Sequence, residues 1–201
     1  MKNFLITQNL YKRSVLQFSL DKCWFDYAKK LNINIIPIGF NEFDKNYFKS
    51  LNFSGIIFSG GNDLYKFSKK KENHIRDKYE TLLLKYAIDN NKKIIAVCRG
   101  FQFIGNYFEN KIIKISNHVK KKHRINFVKN KNIKKKNIYT NSYHNFGFLN
   151  LNKEFQIIAN SDDGNIEIAI NKKHNILCFM FHPERFNNSQ KDIDYIIKKF
   201  I

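Results

Sequence analysis

The 201-residue chain is 43% hydrophobic and holds twenty phenylalanines, enough apolar mass to close a core without disulfides or metals. Its three cysteines, Cys23, Cys98 and Cys178, are an odd number at wide spacing, which argues against a disulfide framework and for a reducing compartment. The formal net charge of +19 would suit a nucleic-acid partner. The wealth of Lys, Asn, Ile, Phe and Tyr beside few Pro, Gly, Ala and Arg, however, is the skew that A/T-rich coding produces unaided. The first apolar run, residues 4–6, is too short for a signal peptide, and no stretch nears the roughly twenty apolar residues that cross a bilayer. A cytoplasmic protein is expected, with no membrane and no nucleic-acid partner.

In chain order, the pattern predicts a strand over residues 4–7, a helix over 18–31, a strand over 34–38, a helix over 43–51 and a strand over 55–58. A long helix follows over 73–90, then a strand into Cys98 and a helix to about residue 107. Shorter strands are expected over 125–128, 137–140, 155–159, 166–170 and 176–181, with a last helix over 190–200. Strands alternating with helices predict a mostly parallel sheet covered on both faces, with its site at the strands' C-terminal edge. No repeat or linker divides the chain, so residues 1–201 read as one domain.

Three stretches carry chemistry. Ile94-Ile95-Ala96-Val97-Cys98-Arg99-Gly100 places a cysteine between an apolar strand and a helix, where a sharp turn exposes a nucleophile and helix N–H groups favour the thiolate. A buried core cysteine explains the heptapeptide equally well. Phe179-Met180-Phe181-His182-Pro183-Glu184 ends a strand at a histidine, and in extended backbone Glu184 falls on the same side as His182, within reach of one ring nitrogen. A capped strand end with a surface histidine is the plainer alternative. Phe58-Ser59-Gly60-Gly61-Asn62-Asp63 spends two of only eight glycines side by side, as backbone donors to a bound oxygen require, though an ordinary turn uses glycine pairs as well.

Taken together, Gly60-Gly61-Asn62-Asp63, Cys98-Arg99-Gly100-Phe101-Gln102, Asn141-Ser142-Tyr143-His144, Asp163-Gly164-Asn165-Ile166-Glu167 and Phe181-His182-Pro183-Glu184 resemble the class I glutamine amidotransferase-like superfamily, in its γ-glutamyl hydrolase (peptidase C26) branch. The order and rough spacing agree over nearly the whole chain. The resemblance implies a flavodoxin-like αβα sandwich of three layers, with a mostly parallel central sheet and short antiparallel strands in the C-terminal half. It implies Cys98 as nucleophile, His182 as base and Glu184 as its orienting carboxylate. Backbone N–H groups around Gly60, Gly61 and Arg99 would form the oxyanion hole, and Gln102, Asn141, Ser142 and His144 would contact substrate. Ala96 replaces a glycine common in relatives, and Phe146 replaces a glutamine of their Asn-Ser-x-His-x-Gln segment.

The implied reaction is hydrolysis of a γ-glutamyl amide through a thioester, on a small-molecule substrate, with no cofactor, no metal and no obligatory partner protein. A nucleotide-linked leaving group suits the positive charge. A glutaminase subunit feeding a synthetase and a hydrolase of γ-glutamyl polyamines or γ-glutamyl-GABA are the alternatives. Arg13, Asp21 and Trp24 are candidates for the variable part of the substrate, although helix packing and surface pairing explain them too. The basic residues Lys120, Lys121, Lys122, His123, Arg124, Lys129, Lys131, Lys134, Lys135 and Lys136 flank a short strand. They would serve an anionic substrate or form a solvated face. Cys23 and Cys178 read as packing residues, and His118, His123 and His174 receive no role.

Overall fold

The computed structural model describes residues 1–128 and 136–201. The chain opens with β1 (Lys2–Thr7), a hairpin of β2 (Asn9–Lys12) and β3 (Leu16–Ser19), α1 (Cys23–Leu31), β4 (Ile33–Ile38), α2 (Lys45–Ser50) and β5 (Gly55–Phe58). It continues through α3 (Tyr65–Ser68), α4 (Lys71–Asp89), β6 (Lys93–Val97) and α5 (Arg99–Tyr107). The C-terminal half holds β7 (Ile113–Lys114), β8 (Val119–Phe127), β9 (Asn137–Tyr143), β10 (Phe146–Gly147), β11 (Gln156–Ser161), β12 (Ile166–Asn171), β13 (Ile176–Phe179) and α6 (Gln190–Phe200).

Among the described residues, nine strands form one sheet in the order β4-β1-β5-β6-β13-β12-β11-β8-β9. The neighbours from β4 to β13 run parallel and those from β13 to β9 antiparallel. Alternation along each strand divides the core between the two faces. Leu5, Ile56, Phe58, Ile94 and Ala96 face the helices α4 and α5 through Leu83, Leu84, Ala87, Phe101 and Ile104. Phe4, Ile6, Ile57, Ile95, Val97 and Phe179 face α1 and α6 through Trp24, Ala28, Leu31, Ile193 and Ile197. This is the flavodoxin-like αβα sandwich expected from the sequence.

The short elements α3, β7 and β10 were not foreseen, β13 stops at Phe179 rather than 181, and two further elements differ more. The helix foreseen from residue 18 begins at Cys23, because residues 9–19 pair as the β2–β3 hairpin, whose register joins Asn9 to Ser19 and Lys12 to Leu16. The strand foreseen from residue 125 begins at Val119. Lys120, Lys121, Lys122, His123 and Arg124 therefore belong to β8 rather than to a coil before it; Lys121 to Arg124 pair with Ser142 to Tyr139 of β9, and Lys120 falls at a register shift. Cross-strand hydrogen bonds override the poor strand propensity of lysine. Lys129, Lys131, Lys134 and Lys135 lie outside the described residues.

Candidate active site

The strands β5, β6 and β13 are adjacent and parallel, so their C-terminal ends stand side by side. Gly60 follows β5, Cys98 follows β6 and His182 follows β13, so one sheet edge gathers three segments far apart in sequence. Cys98 has φ 52° and ψ −106°, in the left-handed half of backbone space. For a side chain with a Cβ this costs about 1–3 kcal/mol and persists only where neighbours enforce it. Here the Cys98 N–H donates to the Phe179 carbonyl at 2.7 Å, while its carbonyl accepts the Gln102 N–H at 3.0 Å. The chain thus passes directly from β6 into α5. The N–H groups of Arg99 and Gly100, in the first turn of α5, have no acceptor within the helix.

His182 is buried and oriented from two sides. Its Nδ1 lies 2.6 Å from Glu184 Oε1, so that nitrogen carries the proton donated to the carboxylate. The remaining polar neighbour of the ring is Cys98. Burial opposes the imidazolium, but the charges of Glu184 and Cys98 outweigh it and push the His182 pKa up to about 10. The main chain of His182 is clamped by Asn141, whose Oδ1 accepts the His182 N–H at 3.0 Å and whose Nδ2 donates to the His182 carbonyl at 2.8 Å. Asn187 Nδ2 donates to the same carbonyl at 3.0 Å.

The glycine pair makes room for this ring. A Cβ on Gly60 would stand 2.6 Å from His182 Cε1. Gly61 has φ 107°, and a Cβ there would overlap the Asn9 side-chain oxygen. The loop is held from below by Arg76, a fully buried residue that sequence reasoning missed. Its guanidinium donates to the Ser59 carbonyl at 2.8 Å, to Asn9 Oδ1 at 2.7 Å and to the Gly60 carbonyl at 3.3 Å, and pairs with Glu80 at 2.9 Å. Arg99 spends its side chain on Glu80 and Asp77. Burial and the neighbouring Arg99 lower the Arg76 pKa to about 10, against the pull of Glu80. The signal available in the sequence was the Arg76–Glu80 spacing of four on a helix, which normally marks a surface pair.

The remaining residues expected to touch substrate are engaged within the protein. Gln102 donates to the Phe146 carbonyl at 3.1 Å, and Ser142 donates to the His118 carbonyl at 2.6 Å. His144 also uses the Phe146 carbonyl, through Nδ1 at 3.1 Å. Its other nitrogen faces Glu167, in a cluster with His118 that is capable of holding a metal ion. Asn141, as described, acts on His182. Asp21 and Trp24 line the same cleft as Gly60, Gly61, His182 and Glu184. Asp21 is paired with Arg185 at 2.7 Å, whereas Arg13 sits exposed at the tip of the β2–β3 hairpin. Cys178 is fully buried with its thiol pKa pushed far up by desolvation, and burial with help from Glu184 and Asp21 raises that of Cys23 to about 11.

The family model of peptidase C26 matches residues 32–184, which span the glycine pair, the elbow cysteine and the His-Pro-Glu segment. The chain belongs to the peptidase C26 family. This C26 chain is 33% identical over 156 residues to the gamma-glutamyl-CDP-amidate hydrolase of Campylobacter jejuni, a match covering 78% of the chain and 74% of that protein. It is 27% identical over 174 residues to the glutamine amidotransferase-like protein YvdE of Lactococcus lactis, covering 75% and 73% respectively. A glutamine amidotransferase of Thermotoga maritima superposes with a TM-score of 0.69 over 98% of the chain and 83% of that structure. At 13% identity, this shows the shared fold alone. Among the described residues, no helix is long and apolar enough to cross a membrane.

Proposed function

We propose that the chain hydrolyses a γ-glutamyl amide, with Cys98 as nucleophile, His182 as proton carrier and Glu184 as the carboxylate that orients and charges it. The observation carrying this reading is the His182–Glu184 hydrogen bond of 2.6 Å on an imidazole whose other neighbour is the strained elbow cysteine. A protonated imidazole beside a sulfur favours the thiolate. The thiolate adds to the γ-carbonyl carbon, and the resulting oxyanion is received by N–H groups at Gly60, Gly61 and Arg99. Protonated His182 gives its proton to the departing nitrogen as the C–N bond breaks, leaving a glutamyl thioester. Neutral His182 then takes a proton from water, whose oxygen attacks the thioester. The C–S bond breaks, glutamate leaves, and the thiolate–imidazolium pair is restored.

The substrate class is a γ-glutamyl group joined to an anionic, nucleotide-linked amidate. The name and 33% identity of the Campylobacter jejuni relative support this reading. So does the +19 charge of the chain, whose field attracts anions and repels a polyamine leaving group. The test is glutamate release from a panel of γ-glutamyl conjugates with nucleoside diphosphate, polyamine, amino-acid and ammonia leaving groups, with Cys98→Ala as the blank. Wild type is expected to turn over the nucleotide conjugate fastest. Release no faster than the blank on every conjugate overturns the proposal, and glutamine turnover awakened only by an added synthetase would mark a glutaminase subunit instead.

A further inference from the structure

Away from the elbow, where β8, β12 and the end of β9 meet, a second polar cluster surrounds Glu167. This carboxylate is fully buried, and neither of its oxygens has a hydrogen-bond partner. Three imidazole nitrogens surround Oε1: His123 Nε2 at 3.5 Å, His144 Nε2 at 3.6 Å and His118 Nδ1 at 3.7 Å. All three are likewise buried without a partner. Unmet polar atoms in such a place cost about 1–3 kcal/mol each, so four residues aimed at one point need an explanation.

The tautomers narrow it. His144 Nδ1 meets the Phe146 carbonyl at 3.1 Å, and a carbonyl only accepts, so Nδ1 carries the proton. His118 Nε2 meets Asp163 Oδ2 at 2.8 Å and donates likewise. In their neutral forms both rings therefore aim a lone pair at the Glu167 carboxylate, which is repulsive unless a positive charge lies between. Supplying it as protons would bury two imidazolium rings with centroids 4.8 Å apart against a single carboxylate. One divalent ion supplies it once.

The separations to Glu167 come close to those such an ion needs. The donor atoms of His118, His144 and Glu167 all lie within 4.8 Å of one another. Tetrahedral coordination at about 2.0–2.1 Å sets ligand atoms roughly 3.3–3.4 Å apart, a few tenths of an ångström inside the separations to Glu167. The outer contacts fit as well, since metal-binding imidazoles characteristically donate their second N–H to a carboxylate or a backbone carbonyl, the roles of Asp163 and Phe146 here. We propose that His118, His144 and Glu167, with His123 beside them, bind one divalent transition-metal ion, with zinc the best match. Imidazoles with a carboxylate select zinc, cobalt or nickel over magnesium and calcium, which want more oxygen ligands.

The cluster lies away from the elbow cysteine, so the ion is structural and takes no part in the thioester chemistry. It ties β8, the turn after β9 and β12 together. Because β9 carries Asn141, it also steadies the strand that clamps His182.

The experiment uses the full chain with Cys98→Ala, which removes the thiolate as a rival zinc ligand, after treatment with a chelator. Zinc addition is expected to give one bound ion per chain and a higher thermal midpoint, cobalt(II) to give tetrahedral visible bands, and magnesium to do nothing. Asp163→Ala removes the partner of His118 at a half-exposed side chain, together with an acceptor of the Ser161 hydroxyl and the Asn165 N–H, and should weaken zinc binding about 10–100-fold. His144→Gln should weaken it further. Absence of stoichiometric zinc overturns the proposal, as does zinc binding that both variants leave unchanged. If His144→Gln fails to fold, the Asp163→Ala affinity decides.

Discussion

Replacing Glu184 by glutamine keeps an oxygen that can accept the His182 Nδ1–H, now at 2.6 Å, and removes only the charge. The two charge centres sit about 4 Å apart, where opposite unit charges attract by about 4 kcal/mol at an effective dielectric of about 20. At about 1.4 kcal/mol per pH unit, losing that attraction brings the His182 pKa from about 10 down by about three units, to about 7. Acylation requires protonated His182, so the alkaline limb of kcat/KM should move from near pH 10 to near pH 7. At pH 8, where about a tenth of the variant would retain the proton, the rate should fall about tenfold. The assay is a pH profile of kcat/KM on a γ-glutamyl amide for both proteins. Stability follows with a definite sign. His182 has a folded pKa above its unfolded 6.5, so its contribution is full below that pH and is lost as pH rises through about 10. Wild type should therefore lose thermal stability between pH 7 and 10 that Glu184→Gln has already lost. An alkaline limb that stays in place in Glu184→Gln refutes the assigned role of the carboxylate.

Asn141→Ala deletes both clamps on the His182 backbone and should cost about 1–3 kcal/mol in a denaturant titration, with kcat falling more than KM rises. Arg76→Met leaves Glu80 with one cationic partner in the interior and strands the Ser59 carbonyl; chemical unfolding should report a loss of about 3–5 kcal/mol. Iodoacetamide at neutral pH should alkylate Cys98 ahead of Cys23 and Cys178, whose thiols are held protonated, and peptide mapping would expose any other order.

Much of this protein is legible in its sequence. The continuous apolar runs ending at Phe58, Val97 and Phe179 mark the central strands, because fully buried parallel strands are apolar on both faces. The residues at their ends, Gly60, Cys98 and His182, stand out by type and spacing. The β2–β3 hairpin was hidden because Leu16 and Phe18 are exposed strand residues whose sequence reads equally well as the start of a helix. The lysines of β8 were hidden because cross-strand pairing, not propensity, makes that strand.

What only the tertiary structure decided is which polar groups serve substrate and which serve the protein. Asn141 and His144 lie three residues apart in one motif, yet the first grips the backbone of His182 and the second faces Glu167. Arg76 looks like a surface helix residue until the packing of α4 buries it under the Gly60 loop. A local sequence fixes the type and spacing of its side chains. Hydrogen bonds between residues dozens of positions apart depend instead on which strands become neighbours, and that is settled when the whole sheet assembles.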